Sequence, residues 1–139
     1  MLFALRTSLL TRGWLPLLLV AAHLVLASAL GAYAAWPPLD VPMHLAGGAA
    51  AAWFLDGLVD RLEEAGRLEP SRGLLRLLLV FGLATVAAVA WELVESVVDR
   101  LSGATWQVGL RDTLKDLMTG PAGALGFLGA RAAARRGRR

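Results

Sequence analysis

Four long apolar stretches, separated by short polar segments, set the pattern of this chain. They cover roughly residues 14–36, 41–58, 74–98 and 113–130. A helix needs about 20 apolar residues to cross the hydrocarbon core of a bilayer. The pattern therefore predicts an all-α fold, an integral membrane bundle of four transmembrane helices. We expect one membrane domain, residues 1–130, and an arginine-rich tail, residues 131–139.

The first apolar stretch has two interpretations. Trp14 and Trp36 flank it as interface anchors do. A signal peptide would also have a basic start, an apolar stretch and a small-residue cleavage site such as Ala32-Tyr33-Ala34. The stretch is longer than the roughly 7–15 apolar residues of a signal, which favours a retained span. Residues 1–12 would form an interfacial lead-in to that span.

Composition supports a membrane location and narrows the chemistry. The chain is 57% hydrophobic and has no cysteine, which excludes disulfides and thiolate metal sites. Its net charge is +3, and arginines supply most of the positive charge. Because these arginines flank the apolar stretches, topology and contact with anionic lipid explain them better than nucleic-acid binding does. We therefore expect the lipid bilayer as a partner and no nucleic acid.

The distribution of arginines also predicts the orientation. The N-terminal segment, the polar segment 61–72 and the tail are rich in arginine, whereas the two other connections hold few. Loops rich in Lys and Arg stay on the cytoplasmic side. Both termini are therefore expected in the cytoplasm, and the connections near residues 37–40 and 100–111 outside.

Two acids inside the third apolar stretch are the strongest functional signal. Glu92 and Glu95 are spaced i, i+3 on one helix face, and Asp99 extends that face. An ionisable group at bilayer depth costs a few kcal/mol and is expected to face protein or water. The predicted topology brings the polar starts of spans two and four to the same outer level. The expected site consists of Asp40, His44, Glu92, Glu95, Asp112 and Asp116.

Clustered carboxylates cannot all ionise without positive charge. A divalent metal ion would supply it, since carboxylates with one imidazole suit Mn, Fe, Zn or Mg. We expect metal ligands among Glu92, Glu95, Asp112, Asp116 and His44. The same groups could perform acid–base chemistry on a water or a phosphate, so catalysis and binding both stay open.

Simpler roles stay open for each of these residues. Asp40 and Asp112 could cap their helices. His44 could form a hydrogen bond between helices, and Asp116 could be neutralised by Lys115, Arg111 or a proton.

Neighbouring polar residues also have plain roles. Asp99 could be a solvated helix end paired with an arginine, and His23 could hydrogen-bond across helices. We expect Asp56 and Asp60 to pair with Arg61. Arg76 would extend its charged end to the interface.

The fourth stretch has small residues at a regular spacing. Gly120, Gly123, Gly126 and Gly129 recur at every third position. Such a surface allows a neighbouring helix to approach closely. It predicts a homo-oligomer interface on this face.

Three short motifs, in order, resemble a known family. They are Asp40-x-x-x-His44, Trp91-Glu92-x-x-Glu95, and the segment 111–116 followed by Gly123-Ala124. Together they resemble the YjdF-type small bacterial inner-membrane proteins and, more distantly, the VanZ-like family. The resemblance implies a multi-pass protein of the bacterial inner membrane with polar positions facing outward. VanZ-like members are associated with glycopeptide resistance.

Three hypotheses of function follow. The first is a buried carboxylate and histidine site near the outer leaflet that binds a divalent metal or the headgroup of an envelope lipid or glycolipid. The second is a small proton- or cation-coupled transporter that works as an oligomer. The third is a structural or accessory subunit whose acids hold helices together.

Overall fold

The computed structural model describes residues 2–137, with side chains from residue 6 onward, and this part of the chain is all-helical. The α-helices are α1 Leu2–Arg12, α2 Trp14–Leu24, α3 Ala32–Ala35, α4 Asp40–Glu64, α5 Gly73–Ser102 and α6 Leu110–Arg136. The predicted all-α fold is confirmed. The second, third and fourth apolar stretches lie within α4, α5 and α6.

In the described part of the chain, one unbroken helix meets the requirements for a membrane span by length and composition. This helix is α5, with 30 residues and a mean hydropathy of 2.2 over its most apolar window. Within residues 2–137, a second candidate exists if the bent pair Arg6–Arg12 and Trp14–Ala29 counts as one span. The two parts of that pair meet at an angle of 63°.

The first apolar stretch differs from the continuous helix expected over residues 14–36. After α2 the backbone forms a π-helical turn at Val25–Ala29, in which the amide of Leu30 donates to the carbonyl of Val25. Gly31 then has a φ of +56°, a conformation that favours glycine over residues with a side chain. A helix cannot continue through this geometry, so the chain turns before α3.

The closest helix packing joins α4 to α6. A Cβ at Gly48 would clash with the backbone carbonyl of Gly120, and one at Gly123 would clash with the carbonyl of Leu45. Two of the glycines expected at an oligomer face therefore serve packing within the chain. Gly126 and Gly129 have open space where a Cβ would lie.

A small apolar core separates two polar clusters at opposite ends of the three long helices. Its buried members are Ala52, Val59, Val80, Ala84, Ala124 and Leu128. The first cluster, which we call the His44 cluster, comprises Asp40, His44, Glu92, Glu95, Asp112, Lys115 and Asp116. The second, the Arg76 cluster, comprises Arg12, Asp56, Asp60, Glu63, Arg76 and Arg131. Along α4, His44 and Asp56 are roughly 18 Å apart at 1.5 Å per residue.

Arg76 holds the second cluster together. Its Nε donates to Oδ1 of Asp56 at 2.9 Å, and its Nη2 donates to Oδ1 of Asp60 at 2.6 Å. Its Nη1 lies 3.2 Å from Oε2 of Glu63. On the other side of Asp56, Oδ2 lies 2.6 Å from Nε of Arg131. This network ties α4 to the start of α5 and the end of α6.

Arg12 adds α1 to the same network. Its Nη1 lies 3.8 Å from Oδ2 of Asp56 and donates to the carbonyl of Trp53 at 3.2 Å. Its guanidinium also lies 5.7 Å from the centre of the Trp53 ring. The cluster thus holds three arginines and three acids, so its charges balance without an external ion.

Two expectations for this end of the molecule were wrong. Arg76 does not extend to the surface, because its side chain is 7% exposed and inside the cluster. Asp56 and Asp60 do not pair with Arg61, which instead forms an ion pair with Glu64 at 2.9 Å. The segment expected to be a tail begins inside α6, which continues to Arg136.

Glu63 also anchors the connection between α4 and α5. Its Oε1 accepts hydrogen bonds from the backbone amide and the hydroxyl of Ser71, at 2.9 and 2.6 Å. Burial acts to raise the pKa of Glu63, but the bonds from Ser71 and the charge of Arg76 outweigh it and lower that pKa below its ordinary value. Glu63 is therefore held in its ionised form.

A candidate cation site in the His44 cluster

The His44 cluster forms where the first turns of α4 and α6 meet the last turns of α5. His44 lies at its centre. Its Nε2 lies 3.3 Å from Oδ1 of Asp40, one turn earlier on α4, and 3.9 Å from Oδ1 of Asp116. Its Nδ1 lies 3.8 Å from Oε1 of Glu92. One imidazole thus faces carboxylates from three helices, as the sequence predicted for these residues.

Glu92 and Glu95 occupy the buried face of α5. They are 5% and 3% exposed, and the i, i+3 spacing turns both toward α4. Glu95 accepts a hydrogen bond from Nε1 of Trp91 at 2.8 Å. Oε2 of Glu92 lies 3.4 Å from Nε2 of Gln107, while its buried Oε1 has no hydrogen-bond partner within the described part of the chain.

Lys115 neutralises the other side of the cluster. Its Nζ lies 2.7 Å from Oδ2 of Asp40 and 2.6 Å from Oδ1 of Asp112. It also lies 3.7 Å from Oδ1 of Asp116, in accord with the expectation that Lys115 compensates this acid. The three aspartates of the cluster therefore share the positive charge of Lys115, whereas Glu92 and Glu95 form no ion pair with it.

Among the side chains that the structure describes, two groups have ligand atoms close enough to share a metal ion. One is Asp40, His44 and Asp116, and the other is His44, Glu92 and Glu95. Within each group the ligand atoms lie within 4.8 Å of one another. Since Lys115 already contacts Asp40 and approaches Asp116, its charge opposes a cation in the first group. The second group is therefore better suited to hold a divalent ion.

The contacts of His44 favour a metal-binding form of its ring. A metal-ligating histidine normally donates its other N–H to a carboxylate or carbonyl, which fixes the ring and its tautomer. Asp40 is placed to accept such a bond from Nε2, which leaves the Nδ1 lone pair directed toward Glu92. In this arrangement Asp40 orients the ligand, and His44, Glu92 and Glu95 supply the ligand atoms.

The simpler roles can now be compared with the contacts. Asp40 does not cap α4, because Leu39 is the capping residue and no side-chain capping bond forms. Asp112 lies in the first turn of α6, where its Oδ2 accepts a bond from the amide of Val108 at 3.1 Å. Asp112 is thus a helix-start residue paired with Lys115, and it lies outside both candidate metal groups.

Asp99 has a role that the sequence reading missed. Its two oxygens accept hydrogen bonds from the amides of Trp106 and Gln107, each at 2.9 Å. The expectation of a solvated acid paired with arginine was wrong. Asp99 instead folds the connection between α5 and α6 back over the cluster, which places Gln107 beside Glu92.

His23 also belongs to the surroundings of this site. Its Nε2 lies 3.5 Å from Oε1 of Glu95, and its Nδ1 is 3.0 Å from the hydroxyl of Tyr33. Its ring packs edge-on against Trp91 and Trp106, with centroids 5.0 and 5.3 Å away. The sequence predicted a hydrogen bond across helices for His23, but not its place beside Glu95. The i, i+4 spacing of Trp91 and Glu95 could have indicated that a Trp ring lies beside this acid.

A family model described as "Predicted membrane protein (DUF2238)" matches residues 2–137. Neither a curated protein nor a solved structure matches the chain.

Proposed function

Since this chain belongs to the DUF2238 family of predicted membrane proteins, we propose that it is a multi-pass protein that binds a divalent metal ion. The ion would be held by Nδ1 of His44 with carboxylate oxygens of Glu92 and Glu95. Asp40 would orient His44 from the side opposite the ion. Carboxylate and imidazole ligands suit Zn, Mn or Fe, and Mg to a lesser degree.

One observation carries this proposal. Oε1 of Glu92 is buried without a hydrogen-bond partner in the described residues, and it faces Nδ1 of His44 across 3.8 Å. This separation is too long for a hydrogen bond, but it suits two atoms that each bind the same metal ion at about 2.0–2.2 Å. A buried, unpaired carboxylate oxygen is costly, and a cation between the two groups would remove that cost.

The contrast between the two polar clusters supports the same conclusion. The Arg76 cluster balances three acids with three arginines, and each acid has at least one arginine contact of 2.6–3.2 Å. The His44 cluster sets five acids against one lysine and an imidazole that is neutral in its ligating form. The balanced charges of the Arg76 cluster suit a purely structural role. The His44 cluster has too few positive charges for its acids, and a divalent cation would supply them.

The proposed topology keeps four spans with both termini in the cytoplasm of a bacterium. Helices α4 and α6 hold 25 and 27 residues, and roughly 20 residues suffice to cross the hydrocarbon core. The Arg76 cluster would then lie at the cytoplasmic end and the His44 cluster near the outer leaflet. This arrangement agrees with the resemblance to YjdF-type proteins, and more distantly to VanZ-like ones.

A transporter would need a polar path between the two clusters. The buried residues between them, which include Ala52, Val80, Ala84 and Ala124, are apolar and small. Such a layer opposes the passage of protons or ions through a single chain. Binding is therefore the better-supported function. Transport would need a path between two chains, in a dimer formed across Gly126 and Gly129.

Elemental analysis of the purified full chain tests the proposal. After loading with Zn or Mn and washing, the wild type is expected to retain about one metal ion per chain. Glu92→Gln and Glu95→Gln should lose it, whereas Glu64→Gln, which changes an exposed acid at the other end of α4, should retain it. A wild type without stoichiometric metal, or equal retention in all four proteins, would favour a purely structural role for the acids.

A further inference from the structure

An apolar cavity of about 170 Å³ lies between α2, α4 and α5, below the His44 cluster. At one end it is lined by His23, His44 and Trp91, and at the other by Pro16, Ala51 and Ala84. From His23 to Pro16 the α2 wall extends about 10 Å along the helix axis. The cavity is thus an elongated slot with a polar end and an apolar end.

The slot opens on the outer surface of the helix bundle. Val20 of α2 and Ala87 of α5 both line it, and both are exposed. In the proposed topology this surface faces acyl chains at the depth of the hydrocarbon core. An alkyl chain could therefore enter sideways from the bilayer, between α2 and α5.

The acids next to the polar end of the slot favour a ligand whose head group is positively charged. Glu92 lies 3.8 Å behind His44, and Glu95 accepts the hydrogen bond of Trp91. No Lys or Arg of the described chain forms an ion pair with either acid, so this end attracts positive charge. A Trp ring at the same end favours an ammonium group, which the electrons of the ring attract.

From these observations we infer that the slot binds an amphiphile with an alkyl chain and a positively charged amine head. The chain occupies the cavity between α2, α4 and α5, and the ammonium lies at the end formed by His44 and Trp91. This inference rests on the proposed function in one respect, since the ammonium and the metal ion would use the same charge of Glu92 and Glu95. Bound metal should therefore weaken binding of the amine.

Quenching of tryptophan fluorescence measures this binding, because Trp91 lines the slot. The full chain is placed in vesicles of zwitterionic lipid and titrated with a terminally brominated decylammonium, decanol or decanoate. The amine should quench at a concentration at least roughly tenfold lower than the carboxylate, because the charges of Glu92 and Glu95 lie one side chain behind the histidines and Trp91 that line the polar end. Equal quenching by all three would overturn the inference.

Two matched variants separate the slot from the surrounding lipid. Ala87→Leu fills the opening, whereas Ala90→Leu adds the same side chain to an exposed position of α5 that does not line the slot. Quenching by the amine should fall at least roughly tenfold in the first variant and stay unchanged in the second. Similar titrations for the two variants would contradict a bound chain.

Metal content measured on the same samples separates this inference from the proposed function. Ala87→Leu should keep its metal while losing the amine. If the wild type binds metal but shows no preference for the amine once the metal has been removed with a chelator, the inference fails and the proposed function stands. If the amine binds tightly and no metal is retained, the inference stands and the proposed metal site fails.

Discussion

Nδ1 of His44 lies 3.8 Å from Oε1 of Glu92, while Nε2 of the same ring lies 3.3 Å from Asp40. The ring thus joins the first turn of α4 to the buried face of α5. Its two nitrogens have different neighbours, one an orienting carboxylate on its own helix and the other an unpaired carboxylate oxygen across the interface. This asymmetry makes His44 the residue on which the site depends.

The close approach of α4 and α6 should make Gly48 intolerant of any side chain. In Gly48→Ala the new methyl group would meet the backbone carbonyl of Gly120, which cannot move without shifting α6. We expect the free energy of unfolding to fall by roughly 1–3 kcal/mol, as for other overpacked positions. Thermal denaturation in detergent measures it. The control is Gly47→Ala, whose Cβ meets nothing within 4 Å; equal loss in both variants would contradict the packing described.

Removal of Arg76 should destabilise the protein strongly. In Arg76→Gln, Asp56 and Asp60 lose ion pairs of 2.8 and 2.6 Å, and only Arg131 and the more distant Arg12 still face these acids. Breaking a buried pair from one side costs about 3–5 kcal/mol. Arg61→Gln removes an exposed pair with Glu64 and should cost less than about 1 kcal/mol. Comparison of the two melting temperatures tests this; a similar small change in both would show that the Arg76 cluster is not a stabilising lock.

Glu63 should make the stability depend on acidity. Its folded-state pKa lies below the ordinary value of 4.5, so its contribution is present above that value and is lost as the pH falls through the lowered pKa. At neutral pH, Glu63→Gln should be less stable than the wild type, and the difference should shrink on acidification below 4.5. Melting curves of both proteins across this range give the result. A difference that grows on acidification would have the wrong sign.

Asp99 should hold the connection between α5 and α6 in place. Asp99→Ala removes the acceptors of the Trp106 and Gln107 amides, bonds worth on the order of 1 kcal/mol each. Hydrogen exchange at these two amides should become faster, while exchange within the middle of α5 should stay unchanged. Arg100→Gln, at the exposed neighbouring position, is the control. Unaltered exchange at Trp106 and Gln107 would show that other contacts hold this segment.

The meeting of Glu92, Glu95, His44 and Asp116 could be predicted from the sequence. Alternating helix directions with short connections leave few arrangements, and the i, i+3 spacing fixed which acids share a face. Costly groups inside apolar stretches then had to face one another. The structure brings these four together, whereas Asp112 remains at the start of its helix with Lys115.

The partners of Arg76 and His23 could not be predicted in the same way. Arg76 binds acids 13 to 20 positions earlier in the chain, and the rotation of α5 against α4 decides which side of α5 is covered. An arginine near the start of an apolar stretch can be buried against a neighbouring helix or extend to the interface, and the sequence pattern is the same in both cases. His23 faces Glu95 from another helix and also meets Tyr33. Tyr33 follows the turn at Gly31, a break that an uninterrupted apolar stretch conceals.

X-ray absorption spectroscopy of the metal-loaded protein tests the central claim most directly. The spectrum of the wild type should show nitrogen and oxygen ligands with the multiple scattering of an imidazole, and no sulfur, since the chain has no cysteine. In His44→Gln, the imidazole signal should disappear or the metal should be lost. An imidazole signal of equal strength in both proteins would contradict the site described, as would a wild type that retains no metal.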